Sequence, residues 1–483
     1  MLKRALILAL LCGLGSAALA ETAEDTLTPD QARASLRRAV EFFRKDVSIQ
    51  GGYLWQYSAD LAKREGEGKA PASVAWVQPP GTPSVGFAYL HAYERTGEDF
   101  LLDAARETAY ALVQGQLRSG GWHYSIEFDP EGRTKFAYRK EPCNPDGHNT
   151  STLDDNTTQS ALLYLMSIDK VLGFKDEAIH EAALYGLEHL LGAQYPIGAW
   201  PQRFTGPPDP EKYPVKRASY PESWSRTFPK ADYSGFYTFN DNTIADVIGV
   251  MFDAGRVYGD ARYRASAEKA GEFILMAQMP EPQPAWAQQY DPDMHPAWAR
   301  KFEPPAITGG ESHGVMQTLM MLYRETGDAK YLEPIPRAIE YFEHSRLPGG
   351  KLARFYELET NKPLYFTKDD YQITYSSENM PTHYAFIIGS WLDSIRKELE
   401  ATKAMTADEL EAARTPKAEA CRMSDDLARQ AKAAVESLDE RGAWVQGGRL
   451  NYQGDEDSTD HVIRSDTFAS NVRVLSQFLE AAR

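Results

Sequence analysis

Residues 96–122, TGEDFLLDAARETAYALVQGQLRSGGW, and 173–200, GFKDEAIHEAALYGLEHLLGAQYPIGAW, read as two copies of one unit. Each opens on Gly and acidic residues, runs for about five turns with apolar residues at i, i+3, i+4 and i+7, and ends in a loop leading to an aromatic. Gln116 and Gln194 each stand six residues before Trp122 and Trp200. Two further copies follow, YGDARYRASAEKAGEFILMAQMPEPQPAW at 258–286 and TGDAKYLEPIPRAIEYFEHSRLPGGKLARF at 326–355. The period is roughly 75 to 85 residues, which marks one repetitive unit rather than several unrelated domains.

A second apolar segment precedes each copy: 84–93, 157–172, 243–257 and 314–324. These carry few charges, as helices buried on most sides do, whereas the first set has a charged face. The unit is a helical hairpin with an inner and an outer helix. Strand signals are scarce, so the expected fold is all-α, an (α/α) toroid or barrel of repeated hairpins with long loops at one end. A further inner helix is expected over 382–398. The remainder, AMTADELEAAR, a charged helix at 424–438 and SDTFASNVRVLSQFLEAAR, forms a C-terminal helical extension, 401–483, packed on the toroid of 21–400.

The first twenty residues give a basic start (Lys3, Arg4), an apolar run from Ala5 to Leu14 and Ala18-Leu19-Ala20 as a cleavage signal. This reads as a signal peptide cut after Ala20, and the expected location is periplasmic or secreted. No stretch is long and apolar enough to expect a membrane partner. The chain's net charge is −17, and removing Lys3 and Arg4 leaves 50 basic against 69 acidic residues, or −19. Such a surface argues against nucleic acid. Cys143 and Cys421 remain after cleavage, and they read either as one disulfide or as two free thiols.

The loop PAWARKFEPPAITGGESHG, 296–314, carries Trp298, Arg300, Glu303 and a Gly-Gly hinge between two helices. Long polar loops of this kind border sites. Gly310-Glu311-Ser312-His313-Gly314 fits the G-x-S-x-G serine hydrolase elbow, but Pro304-Pro305 cannot sit in the central strand that elbow needs. Other inner helices start from related loops: Asp154-Asp155-Asn156-Thr157, Asn240-Asp241-Asn242-Thr243 and Ser465-Asp466-Thr467. In a toroid the N-termini of the inner helices gather at one end, which places Asp154, Asp155, Asp241 and Glu311 together. Helix capping alone explains any one of these residues. Several carboxylates in one cleft instead call for a cation, and oxygen-only ligands suit a hard ion, calcium first.

At these residues the chain resembles the pectate lyases of polysaccharide lyase family ten. The likeness rests on TLDDNTT (152–158), GFYTFNDNTIADVI (235–248), PAWARKFEPPAITGGESHGVMQTLM (296–320) and LARFYELETNKPLYFTKDD (352–370), and extends over about residues 35–390. It implies an α/α toroid cleaving polygalacturonate by calcium-assisted β-elimination to 4,5-unsaturated galacturonides. It also implies Asp154 and Asp241 as calcium ligands and Arg300 as the proton-abstracting residue. Read alone, Arg300 is a protonated carboxylate-pairing cation. Substrate carboxylates would meet Arg354 and Lys368. The lysine departs from the family's arginine and loses bidentate recognition. Asn240 of the FND motif and Trp298, as a sugar platform, complete the expected substrate contacts. His313 is a second departure.

Two other readings stand beside this one. A glycoside hydrolase on the same toroid would use Asp154 and Asp241 as acid and base. A non-catalytic uronan-binding protein would hold the polymer and turn nothing over.

Overall fold

The computed structural model describes residues 26–415 and 420–483; the expected signal peptide lies outside them. The helices are α1 (Pro29–Phe42), α2 (Thr82–Thr96), α3 (Asp99–Gly115), the single turn α4 (Pro130–Arg133), α5 (Thr157–Val171), α6 (Glu177–Gly192), α7 (Thr243–Tyr258) and α8 (Ala261–Ala277). They continue with α9 (Gly309–Thr326), α10 (Ile335–His344), α11 (Leu392–Lys403), α12 (Ala407–Arg414), α13 (Asp425–Glu436) and α14 (Ser465–Ala481). Helices α14, α2, α5, α7 and α9 pack side by side in that order, and α13, α3, α6, α8 and α10 cover them from outside. This is an α/α toroid of helical hairpins.

The Gly-acidic signature of the repeat is a joint between two caps. Gly97, Gly259 and Gly327 end α2, α7 and α9 in the left-handed region, at φ 70°, 70° and 75°, where glycine carries no Cβ penalty. The acid after Gly259 and Gly327 opens the next segment: Asp260 and Asp328 accept from the backbone N–H groups of Arg262 and Lys330, and Asp176, three residues after Gly173, accepts from Ile179.

The Gln-Trp pair is a latch. Gln116 donates through Nε2 to Gly120 O of its own loop and to Ala182 O of the next outer helix, both at 2.9 Å. Gln194 does the same to Gly198 O and Ser266 O, and Gln278 to Pro284 O and Pro334 O. The indoles of Trp122, Trp200 and Trp286 donate back to Leu112, Leu190 and Ile274 O. Trp444 repeats the bond to Ala434 O, so α13 and α14 share the hairpin chemistry of the earlier units.

Short strands appear where the repeat pattern has no room for long ones. They pair the loop entering an inner helix with the loop leaving an outer one: Ser151–Thr152 with Arg203–Phe204, and Tyr237–Thr238 with Gln289–Tyr290. A four-stranded sheet in the order Ile373–Thr374, Pro363–Phe366, Phe355–Glu357, Ala306–Thr308 supports the start of α9. Another joins Val445–Gly447 and His461–Arg464 to Gln56–Ser58 and Arg64–Glu65, tying the C-terminal segment to the N-terminal one.

One expected element differs. The inner helix expected over 382–398 begins at Leu392, because the β-branched pair Ile387–Ile388 adds a strand to Leu352–Ala353 instead. Cys143 and Cys421 are both free thiols.

Candidate active site

Two inner helices begin alike. After strands Ser151–Thr152 and Tyr237–Thr238, single 3₁₀ turns at Asp154–Asn156 and Asn240–Asn242 lead into α5 and α7. In each turn two successive residues are left-handed: Asp155 and Asn156 at φ 48° and 57°, Asp241 and Asn242 at 48° and 57°. Asp and Asn tolerate this conformation better than other side chains, yet two in a row cost free energy and call for a reason. The reason is direction. The two turns pack on each other, and the carboxylates of Asp154, Asp155 and Asp241 come together with oxygens within 4.8 Å of one another.

Of the four acids expected together, Asp154, Asp155 and Asp241 converge, whereas Glu311 pairs with Arg354. By the repeat, Asp241 matches Asp155 and Asn240 matches Asp154. Neighbouring groups fix them: Tyr124 Oη donates to Asp154 Oδ2 at 2.6 Å, Gln78 Nε2 to Asp155 Oδ2 at 2.9 Å, and Asn240 Nδ2 to Asp241. Desolvation in the cavity, then repulsion by Asp154 and Asp241, pushes Asp155 up to about 7. Desolvation and Asp154 push Asp241 up to about 6.

These acids line a cavity of about 440 Å³ that also exposes Glu67, Arg203, Tyr233, Gln288, Arg300 and Glu303. Several acceptors here are buried without a donor: Asp154 Oδ1, Asn240 Oδ1 and Gln288 Oε1. Crowded carboxylates and orphaned carbonyl oxygens, with neither His nor Cys among the cavity-lining residues, fit a hard divalent cation.

Arg300 sits on a tight turn closed by Glu303 N–H to Arg300 O (2.9 Å) and Ala299 N–H to Glu303 O (3.1 Å). Beneath it lies a cluster of Trp298, Phe302, Phe355, Leu364, Phe366 and Phe386. Glu303, its side chain 2% exposed, receives Arg300 Nε at 2.9 Å and Nη2 at 2.6 Å, and Tyr384 Oη at 2.9 Å. The Glu303 hydrogen bond raises the guanidinium further above its ordinary range, although burial opposes it. Arg354 Nη2 is held by Glu311 Oε1 at 2.8 Å and lies over the Tyr384 ring, with Nε and Glu311 Oε2 unpartnered.

Trp298 is not a sugar platform. It is 8% exposed, packs on Phe366 and donates its indole N–H to Ser225 O, because the turn that presents Arg300 needs an apolar floor. Lys368 is exposed near the end of a strand, and neither it nor Arg354 lines the cavity. His313 is buried against Trp391, its rings 5.5 Å apart, and burial pushes it down to about 4. Ser312 Oγ bonds both the carbonyl and the N–H of Trp286 and is fully buried, a latch rather than a nucleophile. Tyr124 and Gln78 escaped the sequence reading as site residues; only their loop positions signalled them. Glu303, noted in the sequence beside Arg300, is the carboxylate that holds it.

The family model for pectic acid lyases matches residues 116–352. Among solved structures, a family 10 polysaccharide lyase from Cellvibrio cellulosa is 22% identical with a TM-score of 0.46, over 67% of this chain and 98% of that one. A mutant of that lyase in complex with trigalacturonic acid is also 22% identical, with a TM-score of 0.44 over 66% and 98%. The cellobiose 2-epimerase of Spirochaeta thermophila is 15% identical, with a TM-score of 0.41 over 70% and 76%. No curated protein matches the chain. The matched segment, 116–352, contains the three acids and the Arg300–Glu303 turn, and it belongs to the pectic acid lyase family.

Proposed function

We propose that the protein is an exported pectate lyase that cleaves polygalacturonate by calcium-assisted β-elimination. The observation that supports it most is the convergence of Asp154, Asp155 and Asp241 opposite the Arg300 guanidinium in one cavity. A chain of net charge −17 meets an acidic polymer only where cations offset both. A divalent cation held by the three aspartates would bridge to substrate carboxylates and draw charge from the α-carbon.

The chain's own residues have separate tasks. Arg354, its side chain 20% exposed and held by Glu311 beside Tyr384, is the cation for a substrate carboxylate. Asn240 and Gln288 present polar edges to the sugar from the cavity wall. Arg300 takes the α-proton; the C–O bond to the neighbouring sugar breaks, a 4,5 double bond forms, and the departing oxygen takes a proton from water. Because Glu303 favours the charged guanidinium, Arg300 acts as base only in its rare neutral form, so the rate should climb with pH.

A second reading has one observation of its own. Asp155, pushed up to about 7, has the affinity for a proton that a hydrolase's general acid needs. Chelator separates the two, since only the lyase depends on the cation and only the lyase yields an unsaturated product.

A further inference from the structure

The cavity of the three acids shares Tyr124 and Arg203 with a larger one of about 790 Å³, lined also by His123, Tyr195, Lys212 and Tyr213. We propose that this larger cavity receives the uronate units next to the one being cleaved, and that Arg203 binds the carboxylate of the unit adjoining the acids. The inference rests on the polygalacturonate reading above and extends it to a stretch of binding surface.

The position of Arg203 follows from the strand pair that opens α5. Arg203 lies directly across from Thr152, two residues before Asp154. Its Nη2 lies 3.4 Å from Tyr124 Oη, and that hydroxyl donates to Asp154. Arg203 therefore stands at the junction of the two cavities, one residue away from the acid cluster.

What singles it out is the lack of an acidic partner. Arg300 is gripped by Glu303, Arg354 by Glu311, and Lys212 by Asp209 at 3.5 Å. Among the described residues no carboxylate lies within ion-pair distance of Arg203; Asp154 and Asp232 act on it only from further away. A guanidinium fork that borders two cavities and is bonded to the neutral Tyr124 hydroxyl rather than to an acid is suited to a carboxylate from outside the chain. The repeat provides an internal control. The equivalent place across from Thr238 holds Gln289, neutral and donating to Trp298 O, so the hairpin architecture does not itself demand an arginine.

The rest of the larger cavity suits sugars. Tyr195 and Tyr213, ring centroids 4.2 Å apart, and Tyr124 give apolar faces. Lys212 with Asp209, and Asp232 capping Ser234, leave the other charges paired or bonded. Burial pushes His123 down to about 4, so at neutral pH it contributes hydrogen bonding and no charge.

The test is calorimetric binding of galacturonate and hexagalacturonate, in calcium, to the full-length Arg300→Ala protein, which removes turnover. Adding Arg203→Gln should weaken the hexamer about tenfold or more and the single uronate by less than about twofold. Arg203→Lys should recover part of the loss. In the protein with Arg300 intact, Arg203→Gln should raise KM for the hexamer and leave kcat in place. An equal loss for both ligands, or a lowered kcat with weakened calcium dependence, would mean that Arg203 acts through Tyr124 on Asp154 and would overturn the proposal. So would an unchanged hexamer. A parent protein that binds neither ligand would overturn the uronan reading itself, a result distinct from the failure of Arg203 alone.

Discussion

Glu303 holds Arg300 by two parallel hydrogen bonds, Nε to Oε2 at 2.9 Å and Nη2 to Oε1 at 2.6 Å, while its own side chain is almost wholly buried. The fork orients the guanidinium and also keeps it charged, and the two effects oppose each other in catalysis. Glu303→Gln removes the charge and keeps the shape, so the ionisation of Arg300 moves down. The rising limb of kcat/KM against pH should shift to lower pH by about one unit or more, with a reduced plateau from looser positioning. An unshifted limb would show that Arg300 is not the titrating base.

Asp155 and Asp241 occupy the same place in two repeats and repel each other across the cavity. Asp155 is raised from 3.8 to about 7 in the folded protein, so its penalty is absent below about pH 4, grows as pH rises, and is complete above about pH 7. In chelator at pH 8, Asp155→Asn should therefore stabilise the protein, by about 1 to 2 kcal/mol after allowance for solvent at the site. In calcium the order should reverse, because the variant has lost a ligand. Thermal melts with and without calcium check both signs.

The latch and the floor of the site separate two tryptophans. Trp286 is fully buried and bonded to Ile274 O, so Trp286→Ala should cost about 3–5 kcal/mol in a denaturant titration. Trp298→Phe keeps most of the floor under Arg300 and should lower kcat more than it raises KM, since the indole does not face sugar. A large KM effect with an unchanged kcat would restore Trp298 as a platform.

Arg354 and Lys368 were equal candidates for substrate carboxylates, and their surroundings make them unequal. Arg354→Ala should reduce kcat/KM by about a hundredfold or more, whereas Lys368→Ala should change it by less than about threefold. Steady-state kinetics on polygalacturonate decides.

The helical repeat was legible because its period and its Gly-acidic joints are local chemistry, visible without partners. The convergence of acids followed from topology, as helices entering a toroid in the same sense must place their N-termini together. The match of Asp155 to Asp241 stands in the sequence, where Asp154-Asp155-Asn156-Thr157 aligns with Asn240-Asp241-Asn242-Thr243. Two things were not legible. Trp298 lies inward because strands more than fifty residues later close beneath it. The helix expected from 382 starts ten residues later, at Leu392, after the strand Ile387–Ile388, whose partner, Leu352–Ala353, is distant in sequence.

The central claim is elimination dependent on a cation at the three aspartates, and near-ultraviolet absorbance of the purified protein on polygalacturonate tests it most directly. The account predicts absorbance that rises in calcium, stops when chelator is added, and is lost in Asp241→Ala. New reducing ends without absorbance, persisting in chelator, would contradict it and establish hydrolysis instead.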